Sequence, residues 1–140
     1  MIKTLKVDLI FGINTNESWQ SSIEICASNT LHDLHLIIQK AIKFDNKHLY
    51  EFYVAGTKAN QDRVRYYDDG ATHQKKLSEL FPMEKGKKLF YFFDYRDCWL
   101  FKVSEKNNSM QPENGVRYPR IVQVLGQQPK QYRELEEAVA

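Results

Sequence analysis

The chain of 140 residues has the length of one domain, with 42% hydrophobic and 13% aromatic residues. This composition excludes overall disorder, and a chain of this length buries roughly two-thirds of its unfolded surface, so its core needs no metal or disulfide. The formal net charge of +2 gives no support to nucleic-acid binding, because dedicated nucleic-acid binders carry a larger or more localised basic excess.

The chain opens on a strand pattern and not on a targeting segment. Residues 2–11 alternate between apolar and polar side chains directly after Met1. No apolar run approaches the ~18 residues that span a membrane, and Cys26 and Cys98 lack metal-binding spacing. We therefore expect a soluble cytoplasmic protein with reduced thiols and no membrane contact.

A hairpin and a helix are predicted in the first third of the chain. Residues 2–11 and 18–26 both alternate with period two and should pair. A helical repeat then begins behind Thr30, which resembles a capping box together with Asp33. The apolar stripe of this helix consists of Leu31, Leu34, Ile37, Ile38, Ala41 and Ile42. Its outer face carries His32, Gln39, Lys40 and Lys43.

Strands and loops are predicted for the middle of the chain. Residues 49–54 should form a third strand, residues 57–74 a long surface loop, and residues 77–81 one helical turn that Pro82 ends. Residues 87–103 contain two aromatic and β-branched runs around a short polar break, which is typical of a hairpin. We expect this hairpin at the centre of the core.

The last part of the chain is loosely patterned. Residues 104–117 are rich in Asn, Ser, Gln and Pro, which predicts a mobile loop. A short apolar stretch follows at 121–125, and Tyr132, Leu135 and Val139 are spaced for a final short helix.

The order β-β-α-β-(turn)-β-β predicts an α+β fold, namely a β-grasp-like mixed sheet with one helix on one face. We interpret residues 1–140 as a single domain, with a core at 1–105, a loop at 106–117 and a tail at 118–140. The fourth strand is apolar on both faces, which is typical of a central strand that is covered on both sides. The irregular tail is therefore predicted to pack on the second face of the sheet, unless a partner chain covers it.

The turn of the aromatic hairpin holds the first candidate site. Asp94 and Asp97 flank this turn, and with Glu51 they could serve a metal-assisted phosphoesterase or nuclease. Aspartates also occur at turns because they bond their own backbone, and we favour this structural interpretation. A metal site would need more oxygen ligands than the sequence places here.

Histidines offer a weaker signal. His32 and His35 are three residues apart and share a helix face, but without a third ligand a solvated face is favoured over zinc. We therefore predict neither a metal nor a cofactor. Trp99 is predicted to pack in the core against the helix, where it needs no further explanation.

Six segments together resemble the family named after an open reading frame of a root-inducing (Ri) plasmid, members of which are also described as passengers of insertion sequences. The segments are Trp19 with its following strand, residues 31–41, 48–52, 76–80 and 90–99, and Tyr118-Pro119-Arg120. The chain departs from the family pattern at Arg96, where a glycine is usual, and at Phe101, where a histidine is frequent. The resemblance implies a fold and a link to mobile elements, but no activity.

The sequence favours a plasmid- or transposon-associated binding module over an enzyme. The candidate binding residues are Tyr95, Arg96, Trp99, Tyr118 and Arg120. The partner is predicted to be a protein rather than a nucleic acid, because the basic residues are few and scattered. Nothing in the sequence predicts the oligomeric state.

Overall fold

One continuous sheet dominates the molecule. The computed structural model describes residues 1–13, 16–56 and 63–132. Its strands are β1 (Ile2–Phe11), β2 (Trp19–Cys26), β3 (Tyr50–Ala55), β4 (Val64–Tyr67), β5 (Lys88–Phe93), β6 (Trp99–Glu105) and β7 (Arg120–Gly126). They lie in the order β4-β3-β5-β6-β1-β2-β7. The helices are α1 (Leu31–Ile42), the short α2 (Ala71–Gln74) and a 3-10 turn at Leu77–Glu79. None of the helices in the described part of the chain is long and apolar enough to cross a membrane.

The fold is α+β, but the predicted mixed sheet is wrong. Each of the six strand pairs in the described residues is antiparallel, including the pair of β1 with β6. A β-grasp-like sheet requires β1 to run parallel to a late strand, and this sheet contains no such pair among the described residues. The predicted hairpin of β5 and β6 does lie at the centre, since these are the third and fourth strands of seven.

Helix α1 forms where its sequence predicts. The Thr30 hydroxyl accepts a hydrogen bond from the Asp33 backbone, and the Asp33 carboxylate accepts one in return, which completes the capping box. The helix ends at Lys43, which adopts a left-handed conformation with φ of 62°. The whole predicted apolar stripe is buried against the sheet.

Two helix residues that were expected on the outer face are buried instead. Gln39 is 4% exposed, and its amide donates a hydrogen bond to the Tyr91 hydroxyl at 2.9 Å. His35 is 2% exposed and also bonds the Tyr91 hydroxyl. A polar side chain is buried at low cost where a partner satisfies it, so the solvated helix face predicted around His35 is wrong.

The core contains the aromatic face of the hairpin. Tyr91, Phe93, Trp99 and Phe101 belong to one buried cluster with the apolar stripe of α1, as predicted. The other face of β5 carries Phe90, which stacks on Tyr53 with ring centroids 5.0 Å apart. The sheet therefore has an apolar cluster on each face, which confirms the two-sided character of this strand.

Within residues 118–132, the part of the tail that the structure describes, the chain does not cover the second face. Residues 120–126 form the edge strand β7 beside β2, and Gln128 then donates a hydrogen bond to the Ile42 carbonyl at the end of α1. The chain thus passes to the helix side of the sheet. An edge strand satisfies the backbone groups of residues 120–126 better than an irregular cover would. The final helix predicted around Leu135 and Val139 falls on residues 133–140, outside the described part.

The predicted surface loop is partly regular. Residues 57–62 lie outside the described part, but Val64–Tyr67 forms the edge strand β4 against β3, and Ala71–Gln74 forms α2. The residues of β4 are β-branched and aromatic in three of four positions, which suits a strand. This strand and α2 bring the side chains of Asp68 and His73 next to His32 of α1.

Candidate functional site

Asp94 acts as a turn residue of the β5–β6 hairpin. Its carboxylate accepts hydrogen bonds from the backbone N–H groups of Arg96 at 3.0 Å and Asp97 at 3.3 Å. Its own backbone N–H donates to the Leu49 carbonyl at 2.9 Å. The φ angle of Asp94 is 66°, in the left-handed region that Asp and Asn tolerate best after glycine. These contacts are those of a turn-forming aspartate.

Replacing Asp94 tests this assignment. We expect Asp94→Ala to lower the free energy of unfolding by about 2 kcal/mol, because it removes two hydrogen bonds and places a Cβ-bearing residue without side-chain compensation at positive φ. Asp94→Asn retains an acceptor oxygen and tolerates that φ, so its loss should stay below about 1 kcal/mol. Equal losses in the two variants, measured by urea denaturation, would contradict the turn role.

The second carboxylate oxygen of Asp94, Oδ2, is buried and faces a small polar network. It lies 3.7 Å from the His48 imidazole, which forms a 2.9 Å hydrogen bond with the Tyr132 hydroxyl. Tyr132 in turn donates to Asp45. Burial, together with this bond to Asp45, raises the pKa of Tyr132 to about 12. The network fastens the chain at Tyr132 to the segment that follows α1.

The three carboxylates of the predicted catalytic alternative do not converge. Glu51 pairs with Phe92, so both side chains point to the second face of the sheet. Asp94 follows Phe93, whose ring is in the core on the opposite face. Among the described residues, Asp94, Asp97 and Glu51 do not bring their oxygens within metal-ligand range of one another.

Glu51 belongs instead to a surface that we call the hairpin patch, made of Glu51, Arg65, Tyr67, Phe92 and Tyr95. The buried Glu51 carboxylate accepts a hydrogen bond from the Tyr95 hydroxyl at 3.1 Å and lies 3.6 Å from the Arg65 guanidinium. Arg65 also donates to the Tyr67 hydroxyl at 3.1 Å. The Tyr95 ring is 5.3 Å from the Phe92 ring. Burial and the Glu51 charge raise the pKa of Tyr95, which keeps its hydroxyl a donor.

The structure separates the five predicted binding residues. Tyr95 is 46% exposed, and the Arg96 side chain is exposed beside Asp97. Trp99 is fully buried, so its place in a binding surface is corrected.

Tyr118 and Arg120 lie at the far edge of the sheet, where Arg120 pairs with Glu24 on β2. Strand β7 and the hairpin patch are therefore at opposite ends of the sheet. Tyr118 and Arg120 are therefore not part of the hairpin patch.

A second polar cluster lies on α1, around three of the four histidines of the chain. His35 stacks on Tyr50 with ring centroids 3.7 Å apart, and it bonds Asn46 at 2.7 Å. Burial lowers the pKa of His35 to about 4. His32 stacks on His73 of α2 at 3.9 Å. Burial lowers the pKa of His32 as well.

His32, His73 and Asp68 offer ligand atoms that all lie within 4.8 Å of one another. Of this cluster, only the two helix histidines could be grouped from the sequence, because Asp68 and His73 fall in a stretch that was predicted to be an irregular loop. The signal that points to them is the strand character of Val64–Tyr67. Once that strand pairs with β3, the residues after it must return alongside α1.

Sequence comparison decides the family. The family model of plasmid pRiA4b ORF-3-like proteins matches residues 3–132. The chain belongs to this family. The resemblance found in its six segments is thereby confirmed.

One solved relative of the plasmid pRiA4b ORF-3-like chain shares its fold. It is a protein of unknown function from Methanosarcina mazei Go1, which is 24% identical and superposes with a TM-score of 0.72. The match covers 88% of this chain and 68% of the relative. A comparison with curated proteins gives no match.

The two departures from the plasmid pRiA4b ORF-3-like pattern have structural explanations. Arg96 is not among the described residues with positive φ, so this turn position does not need a glycine. Phe101 is fully buried and its ring packs edge-on against Trp19, with centroids 6.1 Å apart. A phenylalanine therefore satisfies this apolar site without a polar partner.

Proposed function

We propose that this protein is a binding module that docks a protein partner on the hairpin patch and performs no catalysis with its hairpin carboxylates. The observation that carries the proposal is the composition of that patch. Tyr95 is 46% and Tyr67 41% exposed, and both surround the Arg65–Glu51 pair. Tyrosine and arginine are among the residues that dominate binding energy at protein interfaces.

The charges of the hairpin patch favour a protein over a nucleic acid. Arg65 is neutralised by Glu51, and Arg96 stands beside Asp97 at 3.5 Å. Nucleic-acid affinity depends on cations that are available to phosphates, whereas a protein interface gains specificity from complementary pairs of both signs. Partner binding at this patch should therefore depend only weakly on salt.

The surroundings of the patch support a pre-organised surface. The hydroxyls of Tyr67 and Tyr95 are tied to Arg65 and Glu51, so these aromatic side chains lose little freedom on binding. The neighbouring Phe92 lies on a rigid central strand. We further propose that this module acts in the cytoplasm and takes part in the biology of mobile elements. The description of the family, which ties its namesake to a plasmid, supports the second of these roles.

Photo-crosslinking in cells tests the proposal. A photo-reactive phenylalanine analogue at position 95 should yield a crosslinked product with one defined protein, because this side chain lies in the proposed interface. Position 122 is a matched control, since Val122 is 52% exposed but lies on β7 at the far edge. Mass spectrometry identifies the captured chain. Crosslinking at 122 but not at 95, or to nucleic acid alone, would contradict the proposal.

A further inference from the structure

We propose that His32, Asp68 and His73 form a binding site for a divalent zinc-type cation. This site is independent of the hairpin patch, because it lies between α1 and α2 on the helix side of the sheet. Among the described residues it is the one group of three or more His, Cys, Asp or Glu side chains whose ligand atoms cluster within reach of a single ion.

The ligand set selects the metal. Two imidazole nitrogens and one carboxylate oxygen suit Zn²⁺, which takes three protein ligands and keeps a fourth position for water at open sites. Mg²⁺ and Ca²⁺ prefer oxygen ligands throughout and should bind poorly here. The proposal replaces the expectation of no metal, which was based on the missing third ligand.

A second layer of contacts orients His32. Its Nδ1 is 2.8 Å from the Tyr50 hydroxyl, which is in turn 2.8 Å from the Thr72 hydroxyl. When Nδ1–H donates to Tyr50, the Nε2 lone pair is left for the metal, and metal-bound histidines typically make such a bond with their other nitrogen. Tyr50 is 1% and Thr72 0% exposed, so this support is rigid.

The remaining two ligands are free to adjust. Ligands of a tetrahedral zinc ion lie about 3.3 Å apart, given metal–ligand distances of ~2.0–2.1 Å. The present atoms are spread over up to 4.8 Å, so they must move together by roughly 1.5 Å at most. His73 is exposed, and its ring can turn out of the 3.9 Å stack with His32 to reach the ion. Asp68 is half-buried at the end of β4 and brings the negative charge that two neutral imidazoles lack.

Calorimetry with ZnCl₂ on the full chain, without an affinity tag, tests the proposal. We expect one zinc ion per chain, with at least tenfold weaker binding in both His73→Ala and Asp68→Asn, because outer partners of a zinc site alone contribute about 10–100-fold. His48→Ala is the matched control, since His48 lies apart from the stacked rings of His32, His35 and His73 and its loss should leave the affinity unchanged. Circular dichroism checks that each variant is folded.

Two further measurements fix the ligands. The visible bands of the Co²⁺-substituted chain should be those of a tetrahedral nitrogen–oxygen site and should disappear in His73→Ala. Zinc affinity should fall on acidification, because protons compete for the histidine nitrogens. Absence of stoichiometric zinc binding, or binding that His48→Ala weakens and His73→Ala does not, would overturn the proposal.

Discussion

Replacing Trp99 with alanine is expected to lower the free energy of unfolding by about 3–5 kcal/mol. Trp99 is fully buried, and its ring meets Phe44 edge-on with centroids 4.8 Å apart. The backbone of Gly12 approaches the same ring so closely that an added Cβ would lie 2.2 Å from it. Phe44 and the Gly12 backbone thus both pack on the Trp99 ring. If the ring is removed, the surrounding atoms cannot fill the cavity unless the chain at the end of β1 moves. Urea denaturation of the variant measures the loss.

The matched control for Trp99 is Tyr95→Ala in the same hairpin. Tyr95 is 46% exposed but donates a hydrogen bond to the buried Glu51 carboxylate, so its truncation should cost about 1–2 kcal/mol, clearly less than that of Trp99. A loss below about 1 kcal/mol for Trp99→Ala would place the tryptophan at the surface and contradict this core.

Acidification from pH 6.5 to 4 is expected to cost about 3 kcal/mol of folding stability through His35 alone. Burial lowers the pKa of His35 from 6.5 to about 4. Above pH 6.5 the ring is neutral in both states and incurs no penalty. As the pH falls below that value, the unfolded chain binds a proton that the folded chain excludes, and stability declines until the pH reaches the folded pKa.

Comparison with His35→Gln isolates the contribution of His35 to the pH dependence of stability. The carboxylates of the chain also titrate on acidification, but they do so equally in both proteins. The free energy of unfolding should therefore fall more steeply with decreasing pH in the parent chain than in the variant. NMR titration of the His35 ring in the parent gives the folded pKa directly, so that the test survives poor folding of the variant. Parallel stability curves, or a ring that titrates near pH 6.5, would contradict the account.

The sequence predicted those elements that depend on interactions between residues close together in the chain. The capping box at Thr30 and Asp33 involves residues three positions apart, and the α1 stripe follows from the helical period alone. The period-two aromatic runs on either side of residues 94–97 likewise predicted a central hairpin. Each of these features depends on neighbours in sequence, so one chain suffices to predict it.

Strand pairing could not be predicted in the same way. Strand β1 pairs with β2 in the predicted hairpin, but its other partner is β6, almost a hundred residues away, and strand propensity carries no information on whether such a pair is parallel. Strand β4 is only four residues long and sits among polar residues, so its pattern is too short to stand out. The tail became an edge strand because β2 offered an unpaired edge, which no local signal reveals.

The burial and clustering of the candidate-site residues likewise depend on contacts between distant parts of the chain, which the sequence alone does not predict. His35 and Gln39 looked solvent-facing because their burial depends on the Tyr91 hydroxyl, which lies more than fifty residues away in sequence. Asp68 and His73 reach His32 only through the fold of β4 and α2. Conversely, Tyr95 and Arg96 could be predicted as exposed, because a polar break between two apolar runs must form the turn.

We propose that the hairpin patch, and not the β7 edge, binds the partner. Arg65 and Arg120 are matched probes, because each is paired with a glutamate on the neighbouring strand, Glu51 and Glu24. Calorimetry with the protein captured by crosslinking should show at least tenfold weaker binding for Arg65→Ala, the size of an interface hot spot, and no change for Arg120→Ala. Weaker binding for Arg120→Ala with unchanged binding for Arg65→Ala would contradict the claim.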